Sequence, residues 1–211
     1  GVIMLATKPQ SFAGLATELK PALAGDAERR VVVSIMAGVE SSRVRAALEE
    51  RVAVVRVMPN TPASLGMACT AIAHGAGALP GDVGAARRVF ASIGTVVDLP
   101  EAGMNAFTAL AGSGPAYVFL LAEALAQGGV AADLPVNAAT LRGIVAQVLR
   151  GAAAMLEGGA DPAALRAAVT SKGGTTAAAL AVLEEAGVVG TFTRAIVAAR
   201  ERGAELAAGS A

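Results

Sequence analysis

One short segment of the chain combines four hydroxyl side chains, two adjacent glycines and a lysine. It spans residues 169–176, reads VTSKGGTT and leads directly into the alanine-rich run of residues 177–183. A glycine turn that opens a helix leaves several backbone N–H groups without intrahelical partners, and such groups bind carboxylates and phosphates. We call residues 169–176 the glycine loop and predict that it binds a small anion.

Three further polar turns each follow a predicted strand. They are residues 6–10 (ATKPQ), 36–38 (MAG) and 58–62 (MPNTP). Ligands of open parallel sheets bind beyond the carboxyl ends of the strands, so we expect the three turns to line one edge of the sheet. Prolines stiffen the third turn, and its amide and hydroxyl suit a flat, polar cofactor ring. Taken singly, each turn is also compatible with ordinary turn chemistry.

A fifth motif, GSGPAY at residues 112–117, lies within an apolar helical region. In a helix interior, glycine costs about 1 kcal/mol and proline about 3 kcal/mol relative to alanine. Two interpretations stay open. Either the close approach of a cofactor or of a neighbouring helix offsets this cost, or Gly114 and Pro115 begin a new helix.

The predicted elements that position these motifs fall into two parts of the chain, which differ in the spacing of their apolar residues. Over residues 2–99, strands are predicted at 2–6, 30–35, 52–57, 68–73 and 95–99, and helices at 11–23, 41–50 and 80–93. This alternation favours an α/β layered sheet. Pro80 and Asp82 are typical of the first turn of the third helix.

After residue 101 the spacing of apolar residues predicts only helices, at 107–127, 135–157, 162–169, 175–185 and 191–208. Asp133 and Asp161 precede prolines as helix caps do, and the glycine pairs at 128–129 and 158–159 mark predicted helix ends. Small residues off the main apolar stripe indicate helices that are buried on several sides, as in a dimer.

Composition excludes several classes of partner. The chain is 55% hydrophobic and 16% charged, and its seventeen basic and seventeen acidic residues cancel without forming a basic stripe. We therefore expect no nucleic acid or anionic membrane as a partner, and a second subunit as cover for the excess apolar surface. Charged residues such as Glu123 interrupt the apolar runs, so we expect no membrane span. The lone Cys69 favours a reducing cytoplasm.

Five segments match one known family in order and spacing across nearly all of the chain. They are LATKPQ (5–10), VSIMAGV (33–39), VRVMPNTP (55–62), LAGSGPAYVF (110–119) and VTSKGGTT (169–176). Together they resemble pyrroline-5-carboxylate reductase. The resemblance implies a doubly wound, Rossmann-like dinucleotide-binding domain over residues 1–100, truncated at its N-terminus. An all-α substrate-binding and dimerisation domain would follow over residues 101–211, forming a homodimer or a larger ring of dimers.

The resemblance also implies a reaction, in which 1-pyrroline-5-carboxylate is reduced to L-proline by hydride from NADPH or NADH. Thr176 would place its hydroxyl near the imine nitrogen, and Ser171 would order the loop or a water. The implied substrate-binding residues are Lys172, Gly173, Gly174, Thr175 and Thr176. The implied cofactor-binding residues are Ala6, Thr7, Lys8, Pro9, Met58, Pro59, Asn60, Thr61 and Glu101. No metal is implied, and His74 has no role.

The chain departs from the family pattern in two ways. The glycine-rich phosphate fingerprint is missing, and because the chain opens on Gly1 inside a strand-like run, we expect part of the protein to lie upstream. Lys172 stands where proline is frequent in the family, and it would either touch the substrate carboxylate or face solvent. Thr176 could also act as a helix cap.

Two other functions remain open from the sequence. One is a non-catalytic dimerisation or ligand-binding fragment, because half of the cofactor fold is not visible. The other is a related hydroxyacid dehydrogenase. Such an enzyme needs a lysine on the first long interdomain helix, whereas the lysines of this chain are Lys8, Lys20 and Lys172.

Overall fold

The computed structural model of the chain describes residues 1–24 and 29–209. Two compact units are found, and each is described by itself. The first unit comprises Gly1–Pro115 together with the C-terminal part of the chain from Ala195, and the second comprises Ala116–Arg194. The division into two domains at residue 100 stays a prediction.

A five-stranded sheet forms the centre of the first unit. Its strands lie in chain order: β1 (Val2–Leu5), β2 (Arg30–Ser34), β3 (Val52–Met58), β4 (Ala68–His74) and β5 (Gly94–Asp98). Strands β1, β2 and β3 are parallel, β4 is antiparallel to β3, and β5 is parallel to β4. The five predicted strands are therefore confirmed, each to within one residue at either end.

Helices cover both faces of this sheet. Helices α1 (Phe12–Ala24) and α2 (Ser41–Ala47) pack on the face that carries Val32 and Val54. Helix α3 (Pro80–Ala91) packs on the opposite face, against Val33 and Val55. Successive residues of a strand point to opposite faces, so a strand covered on both sides must be apolar throughout. The predicted α/β fold is confirmed.

A break in the helical pattern follows β5. Helix α4 (Met104–Phe107) runs into a π turn at Thr108–Gly112, and helix α5 (Gly114–Ala131) follows. The backbone N–H of Ser113 donates to the Thr108 oxygen at 2.8 Å, the five-residue spacing of a π turn. The single helix predicted over residues 107–127 is thus wrong at its start. Pro115 lies in the first turn of α5, where a missing N–H costs nothing.

Four helices complete the chain: α6 (Ala138–Glu157), α7 (Pro162–Ala168), α8 (Thr175–Glu185) and α9 (Val188–Gly209). Asp161 caps α7, as predicted, by accepting a hydrogen bond from Ala164 N at 3.0 Å. The prediction that Asp133 caps α6 is wrong. Asn137 takes that position and accepts from Thr140 N at 2.9 Å, because α6 begins three residues later than predicted.

The glycine pair at 128–129 does not end a helix either. Helix α5 continues to Ala131, and the position of a Cβ on Gly129 would lie 2.9 Å from Leu141 Cδ1 of α6. Gly129 therefore permits close packing of two helices. The second glycine pair does end a helix, since α6 stops at Glu157 and Gly159 has φ +77°.

Exposed apolar side chains are frequent in the second unit. Helices α5 and α6 border an apolar groove of about 870 Å³, which contains Val118, Phe119, Leu141 and Val145. Among the described residues, one helical stretch, Glu101–Ala131, is long and apolar enough to cross a membrane, with a mean hydropathy of 1.4. The expectation that charges interrupt every such stretch is wrong, because residues 102–122 carry none. Length and composition are weak evidence, because the core helix of a soluble protein meets the same criteria.

Candidate active site

The three polar turns of the first unit lie at one edge of the sheet. Leu5 of β1 is in register with Ser34 of β2, and Ser34 is in register with Arg56 of β3. Because these strands are parallel, the turns at residues 6–10, 36–38 and 58–62 all leave from their carboxyl ends. We call this arrangement the sheet edge. The prediction that the three turns line one edge of the sheet is confirmed.

The first turn offers accessible polar groups. Ala6, Thr7 and Lys8 are exposed, and Pro9 opens the short 3-10 turn Pro9–Ser11. The Thr7 hydroxyl donates to the sulfur of buried Met36 at 3.7 Å, which joins the first turn to the second. Lys8 therefore presents an ammonium group at an edge whose backbone is held in place.

Asn60 holds the third turn. Its side-chain Oδ1 accepts a hydrogen bond from Cys69 N at 2.9 Å, and its Nδ2 donates to the Ala111 oxygen at 3.0 Å. One side chain thus joins the end of β3, the start of β4 and the π turn. Met58, Pro59 and Asn60 are half-buried and Thr61 is exposed. A ligand at this edge would meet a braced loop.

Close packing against the third turn explains the glycine in the π turn. A Cβ on Gly112 would lie 3.2 Å from Met58 Cε and 3.3 Å from Thr108 Cγ2. The cost of a glycine in this helical region is therefore offset by contact with the sheet edge. Of the two interpretations of the GSGPAY motif, the one in which Gly114 and Pro115 begin a new helix is confirmed, since α5 starts at Gly114. The close approach at Gly112 comes from Met58 of the third turn rather than from a neighbouring helix.

Glu101 lies in a hydrogen-bonded network within the first unit. Its Oε1 accepts from Ser41 N at 2.7 Å and lies 3.4 Å from Arg56 Nη1, and its Oε2 accepts from the Ser41 hydroxyl. The hydroxyl oxygen of Ser41 in turn accepts a hydrogen bond from Ala76 N at 2.9 Å. Sequence reasoning missed Ser41 and Arg56. An arginine inside the apolar strand β3 was the available signal, because a buried cation needs a partner.

The glycine loop lies in the second unit and contains a tight turn followed by α8. Gly174 N donates to the Ser171 oxygen at 3.0 Å, and Gly173 has φ +71°, a conformation that favours glycine. The first helical bond of α8 runs from Ala178 N to the Gly174 oxygen. The N–H groups of Thr175 and Thr176 precede that bond, so they lack intrahelical partners.

This geometry modifies the expected role of the loop residues. The Gly174 N–H closes the turn, so the outward donors are those of Thr175 and Thr176 together with that of Ala177. Gly174 is also the N-cap of α8 and has no side chain to cap with. Ser171, Lys172 and Gly173 are exposed, and Thr176 is half-buried. The loop can bind a carboxylate through backbone amides while a hydroxyl lies beside it.

Other candidate groups lie outside these two regions. His74 pairs with Val55 in the β3–β4 ladder and is exposed. In the part of the chain that the structure describes, no group of three or more His, Cys, Asp or Glu side chains could hold a metal ion. Arg29 donates two hydrogen bonds to Asp82, which hold the pKa of that carboxyl below its usual value. This ion pair joins residues before β2 to the start of α3.

Comparison with known proteins identifies the family. A family model described as "Pyrroline-5-carboxylate reductase dimerisation" matches residues 101–206. A pyrroline-5-carboxylate reductase of Synechocystis is 42% identical over 97% of this chain and 74% of its own length. One of Methanosarcina acetivorans is 41% identical over the same shares of the two chains.

Two solved structures have the same fold. The pyrroline carboxylate reductase of Plasmodium falciparum, solved with NADP bound, superposes with a TM-score of 0.87 at 27% identity, over 97% of this chain and 81% of that one. The Coxiella burnetii enzyme gives 0.84 at 34% identity, over 97% and 75%. The sheet and its two helical layers define a Rossmann-like α/β protein with a helical C-terminal part. Within that class, the chain belongs to the pyrroline-5-carboxylate reductase family.

Proposed function

We propose that this chain reduces 1-pyrroline-5-carboxylate to L-proline with hydride from NADPH or NADH. The observation that carries the proposal is the start of α8, where the outward backbone amides of Thr175, Thr176 and Ala177 and the hydroxyl of Thr176 follow a glycine turn. These groups suit a small cyclic imine that bears a carboxylate. Relatives named for this activity match 97% of the chain.

The residues of the sheet edge fit the nicotinamide end of a dinucleotide. Thr7 and Lys8 are exposed there, and the Asn60 turn is braced from two sides. Ala6, Pro9, Met58, Pro59 and Thr61 complete the proposed cofactor-binding set, whereas the carboxylate of Glu101 is engaged by Ser41. When bound, the reduced nicotinamide supplies the hydride. The residues of the chain would orient the bound nicotinamide and prevent it from binding in other orientations.

Substrate binding would use the glycine loop. The N–H groups of Thr175 and Thr176 would hold the carboxylate, and Gly173 and Gly174 give the turn its shape. Lys172 would add a cation beside the carboxylate or face solvent. Orientation of this kind contributes roughly 7–11 kcal/mol to lowering a barrier in ideal cases. It therefore outweighs a single oriented donor, which contributes about 3 kcal/mol.

Thr176 would polarise the imine rather than protonate it. As hydride reaches the imine carbon, negative charge accumulates on nitrogen, and a hydroxyl that donates a hydrogen bond there lowers the barrier. A threonine hydroxyl has a pKa far above neutral, so it is a poor proton source. The proton that balances the reaction would come from water, ordered by Ser171, or from an imine that is already protonated.

Assembly as a homodimer, or as a larger ring of dimers, accompanies this proposal. The matched family model is described as a dimerisation region, and the α5–α6 groove and many exposed apolar side chains lie in that part of the chain. A second copy would cover them, and residues 102–122 would then contact protein rather than lipid. The proposal includes a cytoplasmic location and no nucleic acid or membrane as a partner, which the lone Cys69 and the balanced, scattered charges support.

Turnover with defined substrates tests the proposal. The purified chain is mixed with 1-pyrroline-5-carboxylate and either NADPH or NADH, and both cofactor oxidation and L-proline are measured. We expect oxidised cofactor and L-proline to form in equal amounts. Cofactor binding without proline would support the alternative of a non-catalytic ligand-binding fragment. Oxidation of a 2-hydroxy acid in the reverse assay would support a hydroxyacid dehydrogenase, although Lys8, Lys20 and Lys172 do not provide its lysine.

A further inference from the structure

Both carboxylate oxygens of Glu101 are engaged by the protein. Oε1 accepts from Ser41 N, and Oε2 accepts from the Ser41 hydroxyl. The two residues are 60 positions apart in the chain, and Ser41 is 2% exposed. Such a two-point contact fixes the orientation of the carboxylate as well as its position. The position of the Glu101 carboxylate is therefore fixed by Ser41.

Ser41 connects this carboxylate to the second polar turn. It is the first residue of α2 and follows the turn at residues 36–38 closely. Its hydroxyl donates a hydrogen bond to Glu101 and accepts one from Ala76 N at 2.9 Å, so the hydroxyl is used both as a donor and as an acceptor. A Cβ on Gly75 would overlap Ser41 and the Val54 oxygen, so Gly75 permits this close approach. Loss of the Glu101 carboxylate would free the start of α2.

Arg56 connects the same carboxylate to the third polar turn. It lies on β3 two residues before Met58, and its side chain is 5% exposed. Among the described residues, Glu101 is the acid that pairs with it, with 3.4 Å between Nη1 and Oε1. A buried cation without its partner is strongly destabilising. Glu101 therefore holds the end of β3 in place electrostatically.

We propose that Glu101 is a positioning residue, which acts through Ser41 and Arg56 to hold two of the three turns of the sheet edge in one arrangement. This inference rests on the proposed function and revises the expectation that Glu101 touches the cofactor. Glu101 also opens the segment that leads through α4 to Ala111, the acceptor of Asn60.

Three variants test the proposal: Glu101→Gln, Ser41→Ala and the double variant. We expect each single change to raise the KM for NADPH about tenfold, as loss of a charge-assisted hydrogen bond would. The kcat and the KM for the imine should change less than about threefold. Glu40→Gln is the matched control, because Glu40 lies beside Ser41, is exposed and should leave all constants unchanged.

The double variant separates positioning from direct contact. If Glu101 acts through Ser41, the two changes are not additive, and the double variant resembles Glu101→Gln, which also alters the contact with Arg56. If Glu101 touches the cofactor itself, Ser41→Ala leaves the KM for NADPH unchanged and the effects add, which overturns the proposal. Should Glu101→Gln fail to fold, Ser41→Ala alone still decides through its effect on that KM.

Amide exchange provides a readout that does not depend on turnover. In Glu101→Gln we expect faster exchange at Ser41, at Ala76 and in the turns at residues 36–38 and 58–62. Faster exchange confined to Ser41 and Ala76 would mean that the turns are held by other contacts, and the proposal would be wrong. If the unaltered chain forms no proline, the proposed function fails, while the exchange pattern still tests whether Glu101 positions the edge.

Discussion

The side-chain amide of Asn60 donates a hydrogen bond to the main-chain oxygen of Ala111 across 3.0 Å, although 51 residues separate the two in sequence. The same side chain accepts from Cys69 N. A residue of the MPNTP turn therefore joins the sheet edge to the π turn at Thr108–Gly112, which runs into the GSGPAY segment. Two motifs that are separate in the sequence form one structural corner.

Replacement of Asn60 by aspartate should break one half of this brace. Oδ1 can still accept from Cys69 N, but a carboxylate oxygen would face the Ala111 oxygen and repel it. We expect the free energy of unfolding to fall by roughly 1–3 kcal/mol, measured by urea denaturation. Asn137→Asp is the matched control, because that side chain only accepts a cap hydrogen bond and aspartate caps equally well. Equal losses in both variants would contradict the role of the Ala111 contact.

Thr176→Val removes the proposed donor and keeps the shape of the side chain. We expect kcat to fall roughly a hundredfold, while the thermal midpoint changes little, because Gly174 rather than Thr176 is the N-cap of α8. Steady-state kinetics with saturating NADPH and imine measures the effect. Thr176→Ser retains the hydroxyl and should keep most of the activity. A valine variant with unchanged kcat would remove Thr176 from the mechanism.

Lys172→Pro tests the cation of the glycine loop. Lys172 is the second residue of the turn that Gly174 N closes on Ser171, and the third residue, Gly173, has φ +71°. Proline suits the second position of such a turn, so we expect stability to be retained or to rise by about 0.4–1 kcal/mol. If the ammonium contacts the substrate carboxylate, the KM for the imine rises. Lys172→Gln, which removes the charge alone, should reproduce that rise.

Acid should weaken the fold through Asp82. Hydrogen bonds from Arg29 lower the pKa of Asp82 in the folded protein, so its contribution is present above the unfolded pKa of about 3.9 and is lost as pH falls through the folded pKa. Asp82→Asn should reduce stability at pH 7 and flatten its dependence on pH in urea unfolding. Asp98→Asn is the control, since the Asp98–Arg87 pair is exposed and should contribute little. A pH dependence as steep as in the unaltered chain would contradict this assignment.

Phe119→Glu should weaken the proposed dimer. Phe119 is 63% exposed and lies in the α5–α6 groove, so a second copy would have to bury the introduced charge. We expect the dissociation constant of the dimer to rise about tenfold or more, measured by sedimentation velocity. Leu65→Glu changes an equally apolar residue of the first unit, 76% exposed, and should leave the assembly unchanged. Matching behaviour of the two variants would argue against this groove as the interface.

Local patterns account for what could be predicted. Strand positions follow from runs of β-branched residues, and the start of α8 and the Asp161 cap follow from residue types within one turn of each other. The meeting of three turns at one edge follows from parallel strands of known order. Three helix ends were predicted wrongly. The glycine pair 128–129 does not end α5, because Gly129 packs closely against Leu141 of α6. Asp133 is not a cap because α6 begins later, after Asn137, and the helix predicted from residue 107 is interrupted by the π turn.

The sequence alone was sufficient for the α/β order, the glycine turn that opens α8 and the family, because each depends on residues that are near one another or on motifs in fixed order. The roles of Asn60, Ser41, Arg56 and Glu101 needed the folded chain. Their hydrogen bonds join residues 9 to 60 positions apart, and no local spacing records which buried donor meets which acceptor. Only the packing of strands and turns brings such groups within hydrogen-bonding distance, where partial or full burial favours pairing.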